Sequence, residues 1–497
     1  MRLSGVDFEP FVLTLYAITL GGMIYFALHR LKLLWMYLRH ARMPARPAPW
    51  QGAPARVCVQ CPLYNEPLVV ERLLEAVARL RWEEGRLEIQ ILDDSTDETS
   101  RIIADWLAAH PREAARMRHV RRTNRAGYKA GALAQGMTLT SADFLAIFDA
   151  DFRPAPDFLE TTIPYFSDPK VGAVQARWEF SNRRASLLTR FQAIFLDAHF
   201  VVEQAARFGS GLFFNFNGTA GVWRRAALED AGGWSADTVT EDLDMSYRAQ
   251  RRGWKFVYLR DYVVESELPE KMSAFKTQQY RWTKGGMQVA RKQLRAVLAG
   301  NLPGRVKIEA FLHLTTGLVY PLLLTFSFLF VPYLYCVADE QLRGVWLVIN
   351  PLSVVLATGT TVVLYVTSQY FRERQWREGL LWLVAAPVLL AFGLAMCVTG
   401  CVAVIEGLVS MGGEFVRTPK GGRAAHVGGI MRRGRSRWLF RMVSVVEIVI
   451  GLGMLTGAVY FAQLGATQVA IMLGIKTLGF LGLAATSAPD VWPLRGT

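Results

Sequence analysis

The sequence predicts an α/β domain, a mostly parallel sheet with helices on both faces, inserted in an α-helical transmembrane region. Three observations predict it. Apolar residues make up 52% of the 497 and gather in uninterrupted stretches near the two ends, long enough to cross a bilayer. Residues 49–304 between them have the mixed composition of a water-facing domain. Within that middle part short apolar strands alternate with helical segments, the βαβ rhythm of a parallel sheet.

The first apolar stretch, residues 11–28, is preceded by Asp7 and Glu9 and followed by Arg30, Lys32, Arg39, Arg42 and Arg46. An acidic start and no small-residue cleavage site exclude a cleaved signal peptide. The positive-inside rule then puts the central domain in the cytoplasm. Further apolar runs cover 311–338, 345–370, 380–409, 440–461 and 466–485. The 338–343 connection is acidic on balance and reads as external, whereas 371–378 holds three arginines and the segment after Lys420 is rich in them. Both of these read as internal, so 380–409 begins and ends on one side and is expected to be re-entrant or interfacial, broken by Pro387, Gly393 and Gly400. Lys476 is a costly charge midway along the last run.

The net charge of +14 does not point to nucleic acid. Much of the excess flanks the apolar runs, where it meets anionic lipid headgroups, and no nucleic-acid recognition motif accompanies it. Of five cysteines, Cys336, Cys397 and Cys401 lie in apolar runs, and Cys58 and Cys61 form a lone C-x-x-C with no second pair or histidine partner. Packed thiols in a reducing compartment are expected there, not zinc.

In the central domain, strands are predicted at 56–61, 87–92, 119–121 and 144–148, and helices at 68–80, 97–109 and 129–138. Ligands of such sheets bind beyond the carboxyl ends of the strands, and acids stand there. Asp93 and Asp94 close the second strand; Asp149-Ala150-Asp151 closes the fourth. In an extended chain i and i+2 point the same way, so Asp149 and Asp151 are expected to converge on one Mg²⁺ or Mn²⁺ bridging a diphosphate. Asp also caps helices and closes turns; the strand-end position favours ligand use.

Thr240-Glu241-Asp242 precedes a helical pattern at 243–252. Thr240 is expected at the N-cap, with a carboxylate available as a general base. Gln278-Gln279-Tyr280-Arg281-Trp282 lies in a basic amphipathic stretch, 274–298, on which 278, 281 and 282 share a face. Arg281 suits a diphosphate and Trp282 a sugar ring, although an interfacial helix with an aromatic anchor is the better reading of these residues taken alone.

Taken together, in this order and spacing, the motifs resemble the membrane-bound family 2 glycosyltransferases that include cellulose, chitin and hyaluronan synthases. The words LDDSTD (92–97), NRAGYKAGAL (124–133), FDADFRPAPDFL (148–159), VQARW (174–178) and FNGTAGVWR (216–224) are most similar to the cellulose synthase-like mannan and glucan synthases and their bacterial relatives. The resemblance implies a GT-A fold with these parts: a transmembrane helix and basic flank at 1–47, a catalytic domain at 48–270, an interface helix at 271–304 and transmembrane helices at 305–497. It implies Asp94 or Asp93 on the nucleotide base, Lys129 near the diphosphate, Asp149 and Asp151 on metal and donor, and Asp242 as base. Gln278 and Arg281 would hold the diphosphate, and Trp282 and Glu241 the acceptor glycan.

Residues 415–420, Phe-Val-Arg-Thr-Pro-Lys, look like the gating loop of cellulose synthases, with Arg417 where valine is usual; Gly285-Gly286 stands where mannan synthases often have Gly-Pro. No cyclic-dinucleotide domain is expected after the last run. The implied function is a processive inverting β-glycosyltransferase using UDP-glucose or GDP-mannose in a bacterial inner membrane, its catalytic domain in the cytoplasm. The alternative is a lipid glycosyltransferase resembling ceramide glucosyltransferases. A degenerate transferase serving as transporter or scaffold should have lost motif acids, and none is lost.

Overall fold

Seven strands form one sheet: β1 (Val57–Leu63), β2 (Leu87–Asp93), β3 (Met117–Arg121), β4 (Phe144–Ile147), β5 (Val171–Phe180), β6 (Gly221–Arg224) and β7 (Lys255–Ser266). The computed structural model describes residues 2–3, 6–40, 44, 47, 50, 55–337, 340–373, 376–414 and 434–491, so the gating-like segment 415–420 lies outside the described residues. The strand order is β3-β2-β1-β4-β6-β5-β7. Only β6 runs against its neighbours; β1 pairs in parallel with β2 and β4, and β5 with β7. In register, Leu63 sits opposite Asp93, so the carboxyl ends of β1 and β2 deliver their residues to one edge.

Alternation along β1 splits the core in two. Val57, Val59, Cys61 and Leu63 pack on one face with Leu73, Leu74 and Val77 of the helix Val70–Ala78. Cys58 faces the other side, among Ala132 and Leu133 of the helix Tyr128–Thr138. The two thiols therefore point to opposite faces of one strand, both buried and free, as packed thiols should be.

The second core also takes Leu33, Leu34, Met36 and Tyr37 from the end of the first long helix, Glu9–His40. A buried ionic cluster reinforces this docking. Glu309 meets His29 Nε2 at 2.8 Å and accepts from Lys32 Nζ at 3.0 Å and Arg207 Nε at 3.2 Å. A carboxylate so deep is tolerable only with several partners.

Among the described residues five helices are long and apolar enough to cross a membrane: Glu9–His40, Thr316–Cys336, Ala386–Val409, Trp438–Gln463 and Thr467–Ala488. The run at 311–338 is divided, because the helix Gly304–Leu314 ends before a short 3-10 turn and Val319–Val337 begins after it. The run at 380–409 breaks at Met396, between Trp376–Ala395 and Cys397–Val409. Pro387 stays inside the first of these helices; the break falls between Gly393 and Gly400. The helix Glu340–Glu373 carries the run at 345–370, and Arg372 Nη2 near its end donates to Glu179 Oε1 at 2.8 Å. That contact brings the start of the arginine-rich 371–378 segment against the domain. Lys476 is buried between helices, its ammonium 4.1 Å from the Phe330 ring centre and 4.8 Å from that of Phe326. Two aromatic faces are a partial substitute for water around an intramembrane cation.

Candidate active site

At the end of β2 the paired acids part company. Asp93 is fully buried and its carboxylate accepts from Ser95 N (2.8 Å), Ser100 Oγ (2.5 Å) and His119 Nε2 (2.9 Å). Burial pushes its pKa up, but those hydrogen bonds, His119 foremost, outweigh it and hold the group down at about 2. Asp93 is thus engaged in bracing the strand end and is not among the residues lining the cleft, so of the two acids expected at the nucleotide the structure brings Asp94 to it. Asp94 does line it, and Arg122 grips its carboxylate with Nε (2.6 Å) and Nη2.

Beyond β4 the chain turns at once, with Phe152 N–H donating to Asp149 O at 3.0 Å. Asp149 and Asp151 are therefore in a turn, not extended as the i, i+2 argument assumed. Both still face the same cleft. Asp149 Oδ1 accepts from Lys129 Nζ at 2.5 Å, and Asp151 Oδ2 accepts from Ser266 Oγ at 2.6 Å. Among the described residues no cluster of three or more His, Cys, Asp or Glu side chains is poised as a metal cage. Two convergent carboxylates nevertheless suit Mg²⁺ or Mn²⁺, which take one or two protein carboxylates and complete their shell with phosphate oxygens and water.

Lys129 ties the site together, donating to Gly218 O at 2.9 Å as well as to Asp149. Burial opposes its charge, but Asp149, Glu241 and Asp242 outweigh that and keep its pKa above the ordinary value. Gly218 has φ +81°, and a Cβ there would lie 2.9 Å from Asp242 Oδ2 and 3.4 Å from Lys129 Nζ. Only glycine allows both the backbone angle and the close approach.

Thr240 stands at the N-cap of the helix Glu241–Arg251 but makes no side-chain capping bond. Its side chain packs instead where Gly285 leaves room; a Cβ at 285 would collide with it. Glu241 and Asp242 both line the cleft. Asp242 Oδ1 accepts from Leu243 N at 2.8 Å. Burial, then the neighbouring charge of Glu241, pushes the Asp242 carboxyl up to about 7, with Lys129 pulling the other way.

The amphipathic stretch is one helix, Met272–Ala299, and Gln278, Arg281 and Trp282 all reach the cleft from it. Gln278 is buried, and its Oε1 lacks a partner among the described residues. Burial lowers the pKa of Arg281, while the carboxylates of Glu241, Asp149 and Asp242 oppose that shift.

The cleft adjoins a second cavity. Asp242, Trp282, Trp178 and Asn217 line both, and the far wall of the second includes Tyr320, Phe392 and Met396 from the helical bundle. Trp178, Asn217 and Gly218 were not singled out as site residues from sequence, though they lie within the VQARW and FNGTAGVWR words. Tyr64 and Arg125 also line the cleft, the guanidinium 3.3 Å from the ring centre of Tyr64. Tyr64 follows β1, so the strand-end rule could have found it.

A carboxyl of pKa about 7 beside the half-buried cations Lys129 and Arg281 is an arrangement for taking a proton while stabilising a departing anion.

A family profile described as glycosyltransferase like family 2 matches residues 54–285. Glucomannan 4-beta-mannosyltransferase 1 of Cyamopsis tetragonoloba is 33% identical over 455 residues, covering 87% of this chain and 82% of that one. Probable glucomannan 4-beta-mannosyltransferase 10 of Arabidopsis thaliana is 42% identical over 289 residues, 56% of this chain and 51% of that one. As in that alignment, the chain spans about half the length of several of the curated relatives it matches. A mannosyltransferase from Pyrobaculum calidifontis, solved with GDP-Man and Mn²⁺, superposes with a TM-score of 0.51 at 21% identity, over 81% of this chain and 99% of that one. This last likeness concerns the fold, and it is the GT-A arrangement that the motifs implied.

Proposed function

Because the chain belongs to the family 2 glycosyltransferases, we propose that this enzyme is a processive, inverting β-mannosyltransferase that extends a β-linked mannan from GDP-mannose. The observation that carries the reading is the wall shared by cleft and second cavity, where Asp242 and Trp282 stand. A growing chain needs its end at the donor and its body elsewhere, and the second cavity leads from Asp242 into the helical bundle. The relatives named as mannosyltransferases support GDP-mannose over UDP-glucose. In this reading the domain works on the cytoplasmic face of a bacterial inner membrane, with the arginines and lysine at 30–46 on that side.

The reaction follows from the residues. The acceptor sugar stacks on Trp282 with a hydroxyl at Asp242, which takes its proton. The freed oxygen attacks the anomeric carbon as the bond to the diphosphate breaks, so an α-linked donor gives a β-linked product. Arg281 and Lys129 stabilise the charge left on the nucleoside diphosphate, in a site whose dipoles are already oriented. Asp149 and Asp151 would hold Mg²⁺ or Mn²⁺, which supplies further charge to the leaving diphosphate when bound. Gln278 Oε1 offers an acceptor to a substrate hydroxyl, and Asp94 borders the nucleotide end.

Purified protein in lipid, given GDP-mannose and Mn²⁺ or Mg²⁺, is expected to release GDP and form a high-molecular-weight β-linked product, with UDP-glucose turned over far less. Products limited to one sugar per added lipid would overturn the polymer reading in favour of the lipid glycosyltransferase. Gly218→Ala is expected to lower kcat about 10²-fold, the scale of a misplaced catalytic group. Isothermal titration with GDP and steady-state kinetics check it, and unchanged kcat in the folded variant would show that Gly218 does not set the place of Asp242.

A further inference from the structure

The helix Met272–Ala299 has a second working stripe. Tyr280, Lys284, Gln288 and Arg291 follow one another at the four- and three-residue steps that bring side chains to one face. All four hold the segment that ends the helix Cys397–Val409. Tyr280 Oη and Lys284 Nζ donate to Glu406 Oε2 at 2.6 and 3.0 Å. Arg291 Nη1 donates to the Leu408 and Val409 carbonyls, each at 3.2 Å. Gln288 Nε2 donates to Ser410 O at 3.0 Å and Gly412 O at 2.7 Å. The last carbonyls of a helix have no partner within it, and cationic or amide donors satisfy them well.

Gln288 also reaches the other way. Its Oε1 accepts from Val239 N at 2.9 Å, three residues before Asp242. The amide is completely buried, with both hydrogens donated and its oxygen in use. Its orientation is therefore fixed, because a flipped amide would set NH₂ against N–H and oxygen against two carbonyls. One turn earlier, Gly285 receives the Thr240 side chain. The residues leading into Asp242 are thus seated at two successive points of one helix. The same helix C-terminus belongs to a segment whose other end, Met396, lines the second cavity.

We propose that Gln288 is a positioning residue for Asp242, tying the backbone before the base to the end of the helix Cys397–Val409. This rests on Asp242 being the base of the proposed reaction. Gln288 itself does not line the cleft; it meets the lining at Val239, from whose N–H it accepts. Removing it should therefore change the chemical step and leave the donor site, built on Asp149, Lys129 and Asp94, intact.

The test is a double-mutant cycle on the full-length protein in lipid. Gln288→Met, similar in volume but without the amide, is expected to lower kcat at least tenfold while the Kd for GDP stays within twofold. Gln288→Glu keeps shape, cannot donate to both carbonyls, and should fall in the same direction if the methionine variant does not fold. Arg291→Ala, which loses contacts to the same helix end without touching Val239, should keep kcat within twofold. In the Asp242→Asn background, Gln288→Met should cost nothing more, since its effect passes through the lost base. A folded Gln288→Met or Gln288→Glu enzyme with parental kcat, equal losses in kcat and GDP binding, or a full further loss on top of Asp242→Asn would each overturn the positioning role. An Asp242→Asn enzyme as active as the parent would instead remove the base itself, and the proposed mechanism with it.

Discussion

Asp242→Asn is expected to lower kcat by a factor on the order of 10²–10⁴, the usual worth of a positioned general base, with GDP binding retained. The pH dependence gives the sharper check. The base must be ionised to accept the acceptor proton, and burial beside Glu241 sets its pKa at about 7. The rate should therefore rise with pH through about 7, level off above it, and show no such limb in the variant. Stability should move oppositely. An unfolded aspartate loses its proton near pH ~3.9, while the folded protein keeps it until about 7. Between those values the folded state binds more protons, so its unfolding free energy falls as pH rises. Asparagine removes that loss, and its variant should gain more in Tm at about pH 8 than at about pH 4. Wild-type GDP release that is flat from acid to alkaline pH would show that Asp242 does not carry the proton.

How far this site was legible in the sequence depends on which physical signal each residue leaves. Strand ends are written in hydrophobic periodicity, so β1, β2 and β4 and the acids beyond them could be read directly. Which of two adjacent acids faces the ligand is not, because neighbours at a strand end point to opposite sides; Asp93 turned inward to His119 and Asp94 outward. The turn at Asp149–Asp151 depends on where pairing with β1 stops, which happens at Ile147. Gly218 is a position where the informative feature is the missing Cβ, and a glycine in a string of small residues announces neither its φ nor its neighbours. Thr240 looked like a cap because threonine before two acids is a common helix start, yet the space at Gly285 drew its side chain away. The second cavity was out of reach for a different reason. It is assembled from β5, the helices near Tyr320 and the break at Met396, a tertiary coincidence that no local pattern encodes. The charge parity of the flanking loops marked 380–409 as more than a simple span; the helix is interrupted at Met396, while Ala386–Val409 remains long and apolar enough to cross a membrane.

Replacing Arg281 with alanine is expected to lower kcat by about 10²–10³-fold, the range seen when one preorganised stabiliser of developing negative charge is lost. Two roles compete for this residue. It faces Glu241, Asp149 and Asp242, so it could serve only to neutralise carboxylates packed into one cleft. In that case any cation would do, and Arg281→Lys should recover nearly all the activity. If instead the guanidinium holds the departing diphosphate through its planar fork, lysine restores charge without the two-pronged geometry and recovers only part. Product binding separates the two more directly. A diphosphate-reading arginine makes Arg281→Ala lose affinity for GDP but little for GMP, whereas a neutralising one changes both alike. The coupling to the base adds a third readout. Without this cation the charged form of Asp242 is less favoured, so the rising limb of the pH profile should move to higher pH in Arg281→Ala and return toward its place in Arg281→Lys. Parental kcat in Arg281→Ala, or equal losses of GDP and GMP affinity, would take the diphosphate from Arg281 and leave its stabilisation to Lys129.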